Sequence, residues 1–176
     1  MRSYLKSWIS KVVAEFDFDG IRIDTIPEVP KDFWSEYTEA AGVFQMGEVF
    51  NGDIGFVADY QNHVTALFNY PMFFTLHDVY GSGQSMYKIR TTYDSEQASF
   101  KDVDALGSFM NNHDNSRWLY NFPNNIPGFK NAVTFAMTAR GIPFFYYGDE
   151  QYFSGGNDPA NRESLWNAMD TSSDMY

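Results

Sequence analysis

Three carboxylates set the chemical question. Asp24 ends the segment GIRID, Glu48 ends FQMGE and Asp114 ends SFMNNHD, so each acid follows a short apolar run of strand character. Where parallel strands form a barrel, their C-terminal ends share one face, and acids placed there by several strands meet in one mouth. Paired carboxylates on a concave floor suit glycosidic chemistry. One acid gives a proton to the departing sugar oxygen while the other, ionised, attacks the anomeric carbon. Arg22 precedes Asp24 by two residues and therefore shares its side of the strand. A guanidinium there holds Asp24 ionised and steers it, by an attraction worth far more in a dry site than in water. Two plainer readings stand beside this one. A carboxylate just after a strand is also an ordinary N-cap of the next helix, and Arg22 with Asp24 is also a plain buried ion pair.

The elements that must position these residues alternate along the chain. Leu5, Trp8, Ile9, Val12 and Val13 recur at helical spacing and predict an amphipathic helix over 3–15, leading into a strand at 20–25. KDFWSEYTEAA (31–41) is a second helical pattern, followed by the apolar run VFQMGEVF (43–50). Further strands are expected in ALFNYPMF, ALGSFMNNHD and IPFFYYGDE, with helices near 84–92 and 129–140. Alternation of this kind implies parallel strands joined by crossover helices, in a doubly wound sheet or part of a (β/α)8 barrel. Acids at successive strand ends favour the barrel.

Composition narrows the class. The 176 residues are 44% hydrophobic and 19% aromatic, enough apolar material for one sizeable core and too much for disorder. A net charge of −11 without a Lys/Arg cluster argues against a nucleic-acid partner. The absence of cysteine excludes a disulfide scaffold and Cys-based zinc or redox sites. Apolar runs such as IPFFYY are far shorter than the roughly 20 residues that span a bilayer, and MRSYLKSWIS is too charged for a signal-peptide core. Neither export nor membrane anchoring is encoded in these residues, and no membrane partner is expected.

Four segments then carry a family resemblance: DGIRIDT, GEVF, FMNNHDN and GIPFFYYGDEQYFSGGNDPANRE, in that order and with the KDFW helix between them. Together they resemble signature segments of the α-amylase family, closest to the fungal-type enzymes that cut starch. The resemblance implies a glycoside hydrolase acting on α-1,4-glucan by a retaining double displacement. On it Asp24 is the nucleophile, Glu48 the general acid/base, and Asp114 the third carboxylate, which binds sugar hydroxyls and helps distort the reacting ring. Arg22 and His113 would contact the same sugar, and Asp158 and Arg162 would hold it at the cleavage position. Asp158 with Arg162 also reads as a turn-stabilising ion pair, and His113 also reads as a structural histidine. Tyr152 and Phe153, after the last strand, are candidates to stack on glucose faces, and Tyr146 and Tyr147 are expected to alternate about that strand.

Departures from the family pattern are as informative. Where fungal-type relatives carry a Lys-His pair after the nucleophile, this chain has Pro27 and Glu28, so a calcium ion implied by the resemblance would receive only the Glu28 backbone carbonyl here. Ala58 stands near an expected half-cystine. Nothing resembles the family's first signature segment. The resemblance thus implies the later part of a catalytic (β/α)8 barrel, approximately strands 4 to 8, without the first three strands and the C-terminal β domain. It also implies a monomer when full length; relatives of this kind are commonly secreted, and this chain leaves its compartment open. An α-glucosidase or transglycosylase of the same family and a non-catalytic amylase-like binding protein are the alternative functions. A metal-dependent hydrolase built on Asp24, Glu48, His113 and Asp114 is a further one, weakened because His63 and His77 lie outside the strand-end set.

Overall fold

The computed structural model describes residues Met1–Tyr176. The elements run α1 (Arg2–Phe16), β1 (Gly20–Ile23), a 3-10 turn (Ile26–Glu28), α2 (Lys31–Ala41), β2 (Phe44–Gly47), α3 (Ile54–Tyr60), β3 (Ala66–Phe68) and α4 (Tyr70–Leu76). A π turn (His77–Gly81), α5 (Tyr87–Ser99), β4 (Leu106–Ser108), α6 (Trp118–Asn121), α7 (Ile126–Thr138) and β5 (Ile142–Pro143) follow, then 3-10 turns at Asp149–Gln151 and Leu165–Asn167. The five strands stand in chain order, β1-β2-β3-β4-β5, and the first three pairings are parallel. This is the α/β arrangement of successive strands in a (β/α)8 barrel. No helix is long and apolar enough to cross a membrane.

The chain divides into two compact units, Met1–Pro71 with Tyr93–Gly107, and Met72–Thr92 with Ser108–Tyr176. In the first, Ile23, Ile26, Trp34, Val49, Val57, Leu67 and Leu106 belong to one buried cluster. α2 feeds it Phe33 and Trp34 and ends at Gly42, whose φ of 66° is left-handed and suits glycine at a helix C-terminus. α3 starts because the Asp53 side chain accepts from the Phe56 N–H at 2.7 Å. On α1, Ile9 is buried while Trp8 is 47% exposed, so only part of the predicted apolar face is covered. α1 is instead tied to α2 by Arg2 to Asp32 and Glu36 and by Lys6 to Glu36. In the second unit α7 packs Phe129, Ala132, Val133 and Ala136 into a cluster with Met110 and Trp118. Its N-cap Asn125 accepts from the Gly128 N–H at 3.0 Å.

Strand lengths differ most from the sequence reading. The third strand stops at Phe68, because Tyr70-Pro71 opens α4, where proline's fixed φ suits the first helical turn. The fourth stops at Ser108. Beyond it, the Asn112 side chain accepts from the Asp114 and Asn115 N–H groups at 3.1 and 3.0 Å, a local turn that replaces the ladder. The fifth is only Ile142–Pro143, joined to β4 through Phe144 N–H to the Ser108 carbonyl at 2.8 Å. The helices expected at 84–92 and 129–140 occur at Tyr87–Ser99 and Ile126–Thr138.

A buried acid records the cost of the first core. Glu96 on α5 is 2% exposed, and one of its carboxyl oxygens has no partner; burial pushes this carboxyl up to about 7, against an opposing hydrogen bond with Asn69. A folded-state value above the unfolded one means its stabilisation is complete below about pH 4.5 and is lost as pH rises through 7. In the complete catalytic domain, Glu96→Gln should therefore flatten the fall in melting temperature between pH 5 and 8. It should add up to about 3 kcal/mol at the alkaline end. Parallel pH profiles for the two proteins would show that Glu96 ionises without penalty.

Candidate active site

The site residues fall into two clusters, one in each unit. In the first, parallel pairing of β1 and β2 sets Arg22 opposite Met46 and Ile23 opposite Gly47. The ladder runs on through Glu48, whose N–H donates to the Ile23 carbonyl at 2.9 Å and whose carbonyl accepts from Ile26 N–H at 3.1 Å. A Cβ at Gly47, just before it, would lie 2.8 Å from the Ile26 Cδ1, so a larger residue there would have to displace that side chain. The Arg22 fork reaches both acids, with Nη1 2.5 Å from Asp24 Oδ1 and Nη2 3.3 Å from Glu48 Oε2. Thr25, left-handed at φ 45°, aims its N–H at Glu48 Oε2, 3.2 Å away. A β-branched residue in that region is strained, and the turn persists because its neighbours hold it. The Tyr70 hydroxyl donates to Glu48 Oε1 at 3.0 Å.

The two acids have different surroundings. The Glu48 side chain is 7% exposed, whereas those of Asp24 and Arg22 are 64% and 39% exposed. The expectation of a dry or buried Arg22–Asp24 pair is therefore corrected. β1 stands at one end of this chain's strand order, and Asp24 follows it directly. At that exposure the Arg22–Asp24 attraction is worth little as stabilisation, and its effect is orientation.

In the second cluster His113 Nε2 lies 3.2 Å from Asp114 Oδ2, and Arg162 Nη2 lies 3.7 Å from Asp114 Oδ1. Arg162 Nε also reaches Asp158 Oδ1 at 2.9 Å. Asp114 stands six positions beyond the last residue of β4, not at the strand end itself. Beneath these groups Arg117 is wholly buried. Its Nη1 is 3.1 Å from Asp149 and its Nε 2.7 Å from Glu163, and the rings of Tyr146, Tyr147 and Phe153 lie 4.3, 5.2 and 5.1 Å from the guanidinium carbon. Burial pushes the Asp149 carboxyl up to about 7, while Asn111 and Arg117 pull it back down.

The aromatic expectations change accordingly. Tyr146 and Tyr147 do not alternate about a strand, because β5 ends at Pro143 and both rings turn to Arg117. Tyr152 packs on Phe129 and donates to Asp174, and Phe153 is buried, so these rings serve packing. His77, in the π turn, is a structural histidine: Nδ1 meets the Phe73 carbonyl at 2.9 Å, the ring lies against Phe73 and Trp118, and burial lowers its basicity.

No group of three or more acids or histidines is gathered to hold a metal ion. Glu28 is exposed and lies in the 3-10 turn after Asp24. The sequence reading did not single out Tyr70, Arg117, Asn161 or Glu163. Tyr70 had a signal, since it follows β3 as Glu48 follows β2; Asn161 and Glu163 flank Arg162 within a motif already noted.

Removal of the Tyr70 hydroxyl tests how Glu48 is held. Tyr70→Phe keeps the ring's edge contact with Phe50, 4.8 Å between centroids, but strands Glu48 Oε1 in a buried position. Denaturant unfolding of the complete catalytic domain should report a loss of about 1–3 kcal/mol. An unchanged midpoint and slope would mean that water replaces the hydroxyl.

Comparison with known proteins accords with this arrangement. The family description "Alpha amylase, catalytic domain" matches residues 1–175. The Beta/alpha-amylase of Paenibacillus polymyxa is 43% identical over 169 residues, covering 92% of this chain and 14% of that protein. Alpha-amylase 1 of Lipomyces kononenkoae is 37% identical over 178 residues, covering 100% of this chain and 28% of its own length. The solved α-amylase of Malbranchea cinnamomea superposes with a TM-score of 0.94 at 32% identity, over 99% of this chain and 37% of that one. A cyclomaltodextrin glucanotransferase, CldA, superposes with a TM-score of 0.86 at 27% identity, over 99% of this chain and 38% of that one. The chain thus spans well under half the length of these relatives. With its segments in order, its strands in sequence and these matches over nearly all its length, the chain belongs to the α-amylase catalytic-domain family, whose members are glycoside hydrolases.

Proposed function

We propose that this chain is the later part of an α-amylase catalytic barrel and that the complete protein cleaves internal α-1,4-glucosidic bonds of starch or glycogen with retention. The observation that carries the reading is the Arg22 fork, whose two nitrogens contact Asp24 and Glu48. Two carboxylates oriented by one guanidinium suit a double displacement, for which a separation of about 5–5.5 Å is ideal. The Asp24 carboxylate attacks C1 of the sugar as the bond from C1 to the glycosidic oxygen breaks. Glu48 gives that oxygen its proton. Glu48 then takes a proton from water, the water oxygen bonds to C1, and the Asp24 ester bond breaks to restore both carboxyl groups. Asp114, His113, Asp158 and Arg162 are the groups that bind sugar hydroxyls and resist displacement of the ring.

Calcium belongs to this proposal as an ion bound mainly by parts of the complete protein outside this chain, with the Glu28 carbonyl as the contribution from here. The complete protein acts as a secreted monomer. The likeness to a glucanotransferase supports a second reading, in which a sugar hydroxyl replaces water in the second displacement.

In the complete catalytic domain, Glu48→Gln should lower starch hydrolysis by about 10² or more while starch binding persists, because an amide fills the same space but cannot donate and recover a proton. Retention of more than about a tenth of the activity would assign the proton to another acid. Expressed alone, the 176 residues should aggregate or melt without cooperativity and show no starch cleavage, since β1 and β5 end the strand order with unpaired backbone groups. A sharp melt with normal turnover from this segment would overturn that reading.

A further inference from the structure

We propose that Asn161 is a positioning residue for Asp114, holding the backbone on both sides of it; the inference rests on the catalytic reading above. Asn161 is wholly buried, and its amide nitrogen donates to the His113 carbonyl at 2.7 Å and to the Asn115 carbonyl at 2.9 Å. The His113 carbonyl lies in the peptide unit that enters Asp114 and the Asn115 carbonyl in the 115–116 unit beyond it, so one side chain clamps the backbone on both sides of the residue that carries the carboxylate. Arg162, the next residue, donates from Nε to the same His113 carbonyl at 3.2 Å while its Nη2 faces Asp114. The segment that presents Asn161 is itself anchored. The Asn161 carbonyl accepts from Arg117 Nε at 3.2 Å, and Arg117 N–H donates to the Gly155 carbonyl at 3.0 Å. Glu163 bridges Gly155 N–H and Arg117 Nε at 2.5 and 2.7 Å. Gly155 cannot carry a side chain in this closed loop, because a Cβ would lie 1.8 Å from the Ala160 carbonyl oxygen.

Packing does not explain the choice of residue. Asn161 Oδ1 is buried with no hydrogen-bond partner, a state that costs stability and that an apolar side chain of similar volume would avoid. The donor end therefore accounts for an asparagine at this position. Both donors go to the backbone around Asp114.

The test is a double-mutant cycle in the complete catalytic domain, reading kcat, KM and melting temperature on starch. Asn161→Asp keeps the shape but turns an oxygen toward two carbonyls. It should lower kcat by about 10²-fold, the scale of a 1 Å misplacement. On an Asp114→Asn background the same change should lower kcat less than about twofold further, because a residue that acts through Asp114 has nothing left to position. Losses that multiply in the double variant, or a kcat for Asn161→Asp within twofold of the parent, would overturn the inference while leaving the catalytic reading intact. An active Asp114→Asn protein would overturn the catalytic reading and the inference with it. Should Asn161→Asp not fold, Asn161→Ser, which keeps a single donor and no charge, carries the same cycle. Full turnover from Asn161→Ser would also overturn the inference.

Discussion

Parallel pairing of β1 with β2 is the constraint on which the first half of the candidate site depends. The pairing runs past the last strand residue, so the backbone of Glu48 is hydrogen-bonded on both sides, to Ile23 and to Ile26. A carboxylate on so fixed a backbone can be approached from set directions, and three groups use them: Arg22 from the neighbouring strand, Thr25 from the turn after it, and Tyr70 from the start of α4. Thr25 is strained at the same point, left-handed with its N–H on Glu48, while the Ile26 side chain closes over Gly47. Stability and chemistry are coupled at this point. The pairing that helps close the core also fixes the acid.

The second cluster is organised on a different principle. Its segment after β4 has little ladder to rely on, and its shape comes from side chains bonding to backbone: Asn112 to the N–H groups of 114 and 115, and Asn161 to the carbonyls of 113 and 115. Arg117 anchors the opposite loop through two acids and three aromatic rings. A buried guanidinium is stabilising only when its charge is answered; Asp149 and Glu163 do so here, although Nη2 has no hydrogen-bond partner, and removal of either acid would leave the charge answered by one carboxylate alone. Polar networks of this kind specify a single loop shape more than they add net stability. Loops that must present several charged groups in fixed geometry are where that specificity is most needed.

The sequence alone determined the alternation of helix and strand, the parallel order it implies and the residue types of both clusters. Periodicity and strand-end acids are local features, and local physics suffices to read them. KDFWSEYTEAA forms a helix over 31–41 because its apolar residues share one face, and Glu48 follows β2 because the apolar run ends at Gly47. Tertiary structure decided what local pattern cannot carry. IPFFYYGDE reads as a long strand, yet only Ile142 and Pro143 form it, and the tyrosines beyond lie against Arg117, whose burial no periodicity reveals. Tyr152 reads as an exposed sugar platform and instead packs on Phe129. Asn161 and Asp114 lie far apart in the chain, so the contact between their segments exists only after folding. Residue identity and short-range order are properties of the sequence; burial and long-range polar partnership are set by which segments fold against one another, and only the folded chain contains that information.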